Sequence, residues 1–184
     1  LYYANIQNLT PPWEQYPVSG SRLEKAARYA HFADQARSMG AELLLNSVLK
    51  RMFPDFIPPA EFETGEHGKP FLKFVQKGLA LPDGCLIQYN LSHSGDFAAC
   101  AVSSCPVGVD IEKEKENIHP GVSRFFSDKE QKRLEESKDP AGRFFDYWVL
   151  KESYMKAVGT GFTKSPRSFS IYMENETYRV SDEG

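Results

Sequence analysis

Apolar positions change their spacing several times along the chain, and each change predicts an element. Phe144, Trp148, Met155 and Val158 fall four, seven and three residues apart, near one stripe of a helix. Asp139 suits the N-cap, and Pro140 the first helical position, where its missing N–H costs nothing. Gly159 stands where helices commonly end in a left-handed residue. These signals predict a long helix over 140–158. A second helical pattern runs from about Asp34 to Met52, with Leu44, Val48 and Met52 on its stripe and Ala36, Met39 and Leu43 beside them. Ser21-x-x-Glu24 and Ser127-x-x-Glu130 read as capping boxes, the second opening a short helix to about Ser137. Phe125-Phe126 either staples that helix to the core or is displayed at a partner surface.

Shorter apolar runs predict strands at 1–6, 71–75, 86–90, 97–103, 107–112, 169–173 and 177–180. The small residues of 97–103 suit a strand covered on both faces. The run before it breaks at Ser92-His93, and a hairpin is expected around Ser94-Gly95-Asp96. Prolines 11, 12 and 17 mark an irregular link, and residues 54–66, with Pro54, Pro58 and Pro59, read as loop and edge strand. Residues 65–70 read as a polar turn, 77–84 as a turn-rich link, 113–116 as a solvated charge run, and 117–123 and 163–168 as loops. Ser103–Pro106 is the expected join between two units, 1–105 and 106–184.

Composition narrows the class. The 184 residues are 41% hydrophobic and 26% charged, the balance of a soluble globular protein. A net charge of −3 gives no argument for nucleic acid as the main partner, while leaving room for a local basic pocket. No apolar run approaches the roughly 20 residues of a membrane span, and no signal-peptide pattern opens the chain. Cys85, Cys100 and Cys105 show no metal-ligand spacing and read as reduced, small core residues of a cytoplasmic protein. The first residue is Leu1 rather than Met, which fits a trimmed start.

Two charged stretches change the picture. Glu152 lies four residues after Trp148 and four before Lys156, so the three share a helix flank. The pair alone is equally a surface ion pair worth about 0.2–0.5 kcal/mol. Upstream, Val107-Gly108-Val109-Asp110-Ile111-Glu112 reads as a strand that places Asp110 and Glu112 on one face. Two such carboxylates repel unless a cation joins them, and a third from a packed helix would complete an oxygen site of the kind Mg²⁺ prefers. Lys69, held between Gly68 and Pro70, is either a solvated turn lysine or a fixed anion contact. Ser92 and His93 are either ordinary turn residues or a phosphate holder. Arg22, Lys25, Arg28 and Arg37 are either a solvated helix face or a basic pocket.

Gly108-Val109-Asp110-Ile111-Glu112 followed by Trp148-x-x-Lys151-Glu152-Ser153-x-x-Lys156-x-x-Gly159-x-Gly161 resembles the paired signature of 4′-phosphopantetheinyl transferases. The resemblance is closest to the larger, surfactin-synthetase-activating type. Gly68-Lys69-Pro70, Asn90-Leu91-Ser92-His93-Ser94-Gly95, Glu24-Lys25-x-x-Arg28 and Asp34-x-x-Arg37 agree with it, so the likeness spans nearly the whole chain.

The resemblance implies an α+β fold of two similar α/β halves related by a pseudo-twofold axis. Each half would pack a long helix on a mainly antiparallel sheet, with 34–52 and 140–158 as counterparts and the site in the cleft between. It implies a cytoplasmic monomer that is its own pseudo-dimer. It also implies further strands after Val180, so either this copy is short or a C-terminal portion is missing. The implied reaction moves the phosphopantetheine arm of coenzyme A to a serine of an apo acyl or peptidyl carrier protein and releases 3′,5′-ADP. Asp110, Glu112 and Glu152 would hold Mg²⁺. Glu152 would take the serine proton, and Lys156 would neutralise phosphate charge, with Lys151 either doing likewise or only pairing with a carboxylate. Arg22, Lys25, Lys69, Ser92 and His93 would hold the nucleotide end. Fatty-acid, polyketide and peptide synthesis remain open as the pathway. Two other readings stand beside this one: a module that binds coenzyme A or a carrier without turnover, and a Mg²⁺-dependent nucleotide pyrophosphatase.

Overall fold

A computed structural model of the chain describes residues 1–65, 69–73, 86–114 and 124–182. Gly68, the end of the strand expected at 74–75, the link at 77–84, Cys85 and residues 115–123 lie outside the described residues. The elements are β1 (Tyr2–Asn5), α1 (Gly20–Ala27), α2 (Phe32–Met52), β2 (Phe62–Thr64), β3 (Pro70–Leu72), β4 (Gln88–Ser94), β5 (Phe97–Ser103), α3 (Asp128–Glu135), α4 (Pro140–Val158), β6 (Phe169–Glu174) and β7 (Thr177–Asp182). Strand pairing is antiparallel throughout, with sheet order β1-β5-β4 and separate hairpins β2-β3 and β6-β7. The fold is therefore α+β.

Helix α2 lies between two layers. Leu45 and Leu49 pack with Phe56, Tyr89 and Cys100 on the sheet side, while Met39 meets Val18 and Ala26 beside α1. A helix covered on two sides needs a broad apolar surface rather than one stripe. This is why Leu45 and Leu49 are fully buried, although they lie off the expected stripe, and why Met52, placed on it, is 42% exposed. In α4 the same applies at the C-terminus: Met155 is buried, but Val158 is exposed past the edge of the core.

The caps show where local signals held. Asp139 accepts from the Gly142 N–H at 2.9 Å, and Gly159 adopts φ 81°, so both ends of α4 stand as expected. Ser127 and Glu130 form a complete capping box on α3. The box expected at Ser21–Glu24 is not formed. Helix α1 starts two residues earlier, with Ser19 as its N-cap accepting from the Arg22 N–H. The carboxylate that receives the Ser19 N–H belongs to Glu42 of α2, so a tertiary contact replaces the local one. Phe126 is fully buried and Phe125 packs edge-on against Trp148, which answers the partner-surface alternative. Cys100 is buried, but Cys105 is exposed and is no core residue.

Two strand expectations change. Strand β4 continues through Ser92 and His93 to Ser94, because its pairing with β5 persists to Ser94–Phe97 and only Gly95-Asp96 turn. Residues 107–112 join no strand ladder. They lie across the face of the sheet opposite α2, where Val107, Val109 and Ile111 pack on Ala99 and Ala101 of β5. On its other side this segment meets α4. A Cβ built on Gly108 would stand 1.8 Å from the Ser153 carbonyl oxygen and 2.6 Å from the Ala157 nitrogen. Helix α4 in turn covers a second core with Phe126, Phe169 and Ile171. In order of contact the layers are α1, α2, the three-stranded sheet, segment 107–113, α4 and the β6-β7 hairpin.

The clash at Gly108 is with helix backbone, which cannot rotate away. Gly108→Ala should destabilise the protein by about 3 kcal/mol, toward the upper end for overpacking. That is a fall of roughly 6–12 °C in Tm for a chain of this size. Gly20→Ala, where nothing lies within 4 Å, is the control and should shift Tm by under about 2 °C. Equal melting temperatures for the two variants would refute the close approach.

Candidate functional site

Strand alternation sends Asn90, Ser92 and Ser94 to one face of β4, toward segment 107–113. Their side chains take the hydrogen bonds a neighbouring strand would take. The Val109 N–H donates to Asn90 Oδ1 at 2.9 Å, the Ile111 N–H to Ser92 Oγ at 3.3 Å, and the Lys113 N–H to Ser94 Oγ at 2.9 Å. Each serine hydroxyl also donates to a carboxylate. Ser92 reaches Asp110 Oδ1 at 2.7 Å, and Ser94 reaches Glu112 Oε2 at 3.1 Å.

Helix α4 brings Lys156 onto the same group. Its ammonium donates to Asp110 Oδ1 at 2.6 Å, Ser92 Oγ at 3.2 Å and the Val109 carbonyl at 3.3 Å. The Asp110 side chain is 4% exposed and that of Lys156 28%. The partner of Lys156 is thus Asp110, not the Glu152 one turn before it. Asp110 Oδ2 and Glu152 Oε1 are both buried without a hydrogen-bond partner. Burial raises the Glu152 pKa, Lys156 opposes that shift, and the negative charges of Asp110 and Glu112 add to it. The three carboxylates therefore feel one another. Among the described residues, no three His, Cys, Asp or Glu side chains stand close enough to hold a metal ion as they are. The carboxylate oxygens already bound to Lys156 and the two serines are turned to partners within the chain.

A basic group lies on the α2 side of the sheet. His93 follows Ser92 and so faces the other way, which separates two residues expected to act on one phosphate. The side chain of His93 is exposed, and its pKa is lowered first by desolvation and then by Arg37, Lys25 and Arg22. Those cations therefore share one field with it. The pKa of Lys25 is lowered by desolvation and by Arg22. Arg22 is already paired with the buried Glu42 at 2.8 Å, and Arg37 with Asp34 at 2.6 Å. Lys69 donates to the Lys156 and Ala157 carbonyls at 2.7 and 3.2 Å, capping the C-terminal end of α4 from across the chain.

Lys151 joins neither group. Its side chain is 1% exposed and pairs with Glu130 at 2.9 Å, itself fully buried. It also donates to the Pro166 and Phe169 carbonyls at 2.7 and 2.6 Å. These partners use all three ammonium protons, so of its two readings the structure shows the carboxylate pair.

Comparisons with known proteins place the chain in a family. The family model for the 4′-phosphopantetheinyl transferase superfamily matches residues 106–180, and that for the N-terminal part of 4′-phosphopantetheinyl transferase matches residues 16–105. A 4′-phosphopantetheinyl transferase of Bacillus subtilis is 34% identical over 164 residues, covering 86% of this chain and 68% of its own. The chain belongs to the 4′-phosphopantetheinyl transferase family. The transferase Sfp of Bacillus subtilis strain 168 is 32% identical, over 86% of this chain and 68% of its own. The transferase gsp of Aneurinibacillus migulanus is 33% identical, over 89% of this chain and 65% of its own.

Sequence reading had no place for Asn90, Ser94 and Gly108 in the site of this transferase-family chain. Polar residues at every second position of a strand were the signal for the first two. Lys151 yields a test of its buried role. Lys151→Met keeps most of the volume but strands the Glu130 carboxylate, so it should cost about 3–5 kcal/mol. The double variant Lys151→Met/Glu130→Gln should recover part of that loss in a denaturant melt. Stability unchanged in the single variant would show that the pair contributes nothing.

Proposed function

We propose that this chain transfers the 4′-phosphopantetheine arm of coenzyme A to a serine hydroxyl of an apo carrier protein. The observation that carries this reading is the pair of buried, unpartnered oxygens on Asp110 and Glu152 beside Lys156, in a chain of this family. An unpaired buried carboxylate oxygen costs free energy unless a ligand meets it. The donor set is all oxygen, which suits a hard divalent cation. Asp110, Glu112 and Glu152 would hold Mg²⁺, which when bound neutralises pyrophosphate charge and steadies the leaving oxygen.

The chain's own groups do the rest. Glu152, with its pKa raised by burial, is a better proton acceptor than an exposed carboxylate and takes the serine proton, directly or through water. The serine oxygen then bonds to the phosphorus that carries pantetheine, and 3′,5′-ADP leaves. Lys156 neutralises phosphate charge from its place on Asp110. His93, Lys25 and Lys69 hold the nucleotide end, with Arg22 supporting them through its field while paired to Glu42. Ser92 gives its one hydroxyl proton to Asp110, so it serves the carboxylate rather than the nucleotide. We also read 1–105 and 106–184 as two related halves. In each, a buried glutamate accepts the N–H of a helix-capping serine: Glu42 for Ser19 and Glu130 for Ser127.

Incubation with coenzyme A, Mg²⁺ and an apo carrier protein tests the activity. The carrier should gain the mass of phosphopantetheine. Release of adenine nucleotide without a carrier would establish the pyrophosphatase instead, and neither product would leave a binding module.

Stability separates Glu152 from Asp110. The folded pKa of Glu152 lies above its unfolded value, so the folded state holds its proton more tightly. Its ionisation therefore lowers stability as pH rises from the unfolded value through the folded one. Glu152→Gln should melt at or above the wild type at pH 7 without metal, and the difference should close in acid, where both carry no charge. Asp110→Asn leaves Lys156 without its partner and should melt lower, by about 1–3 kcal/mol after allowance for the partial exposure of Lys156. Both should lose transfer activity. A Glu152→Gln variant that melts well below the wild type at pH 7 would contradict this account.

A further inference from the structure

On β4, one arrangement occurs twice at a spacing of two residues. The Ser92 hydroxyl accepts from the Ile111 N–H and donates to the side chain of the preceding residue, Asp110. The Ser94 hydroxyl accepts from the Lys113 N–H and donates to the side chain of the preceding residue, Glu112. Asn90 starts the series by accepting from the Val109 N–H. The three residues face the segment because a strand repeats every second position, and the segment matches them because it is extended too.

A hydroxyl has one proton and two lone pairs. With a backbone N–H fixed on a lone pair, its proton can go in few directions, and in both cases it goes to the carboxylate. The result is a register device: one hydroxyl fixes each acidic side chain together with the backbone N–H of the residue that follows it. For Asp110, Ser92 and Lys156 both hold Oδ1, which leaves Oδ2 as the buried oxygen without a partner. For Glu112, which is exposed, Ser94 is the hydroxyl that holds Oε2.

We propose that Ser94 and Ser92 are matched positioning residues, each holding one oxygen of an acidic side chain so that the other is presented to a divalent cation. This rests on the cation-holding role given above to Asp110, Glu112 and Glu152. Ser94 is the informative member, because Ser92 also touches Lys156. An exposed glutamate has several free rotamers, and ordering it at the moment of binding costs side-chain entropy. The Ser94 hydroxyl removes part of that cost beforehand.

The test compares Ser94→Thr with Ser94→Val, which are nearly equal in volume and differ in the hydroxyl. Thermal melts of the full chain are followed against Mg²⁺ concentration, with no coenzyme A or carrier present. The Mg²⁺ concentration giving half the stabilisation should rise about 5–10-fold in Ser94→Val, the worth of one charge-assisted hydrogen bond of about 1–1.4 kcal/mol. It should stay within about twofold of the wild type in Ser94→Thr. In a Glu112→Gln background the Val and Thr forms should give the same midpoint, since the hydroxyl acts through that carboxylate. A merely structural role would lower the metal-free Tm of Ser94→Val and leave the midpoint alone, which overturns the proposal. If Ser94→Val does not fold, Ser94→Ala makes the same comparison. A wild type that shows no Mg²⁺ stabilisation would instead overturn the cation-holding role itself, and the proposal with it. A wild-type response with an unshifted Ser94→Val midpoint overturns the positioning role alone.

Discussion

Everything at the site depends on how closely segment 107–113 can lie between the sheet and α4. Gly108 permits main chain to touch main chain, with the Ser153 carbonyl where a side chain would otherwise stand. The sheet side allows a similar approach, because β5 presents Ala99 and Ala101 there. A segment buried on both sides must still satisfy its N–H groups. It lies over a sheet face rather than at a strand edge, and side chains of β4 supply the acceptors for Val109, Ile111 and Lys113. The polar residues of this face follow from that need. Their hydroxyl protons, left over after accepting, are what bind the acidic side chains.

Two buried glutamates hold the flanking layers. Glu42 ties the start of α1 to α2 through Ser19 and Arg22, and Glu130 ties the start of α3 to α4 and β6 through Ser127, Lys151 and the Ile171 N–H. Each charge is matched by one cation and further donors, the condition under which a buried pair is tolerated. Lys151 is spent in this way, and the next two charged residues of α4, Glu152 and Lys156, lie on the side of the segment. Helix α4 therefore turns Lys151 into the buried ion pair and Glu152, one residue on, to a different flank.

Much of this was legible in the sequence and some was not. The ends of α4 were readable because Asp139, Pro140 and Gly159 act locally. The start of α1 was not, because its partner is Glu42 on another helix and Ser21-x-x-Glu24 offered a local decoy. The acidic pair was found from a period of two, and that period is real even though the segment forms no ladder. Extended backbone alternates its side chains whether its N–H groups bond to a strand or to hydroxyls. The role of Lys151 was left open because adjacent helix positions differ by 100° of rotation, and spacing alone does not say which side is the core. The division of Ser92 from His93 was missed when the strand was ended too early.

The charges differ between the two faces of β4. Asp110, Glu112 and Glu152 carry three negative charges against one positive charge on Lys156. Burial is the main reason the pKa of Glu152 is raised; Lys156 opposes the shift, and Asp110 and Glu112 add to it. A phosphate ester brought to such a site without further help would meet net repulsion. Across the strand, the pKa of His93 is lowered first by desolvation and further by the field of Arg37, Lys25 and Arg22, so positive charge gathers on that face. Two of those arginines already have carboxylate partners, so Lys25 and His93 are the groups with the most to gain from an anion. One strand thus separates a cluster of acidic side chains on one face from a cluster of basic ones on the other.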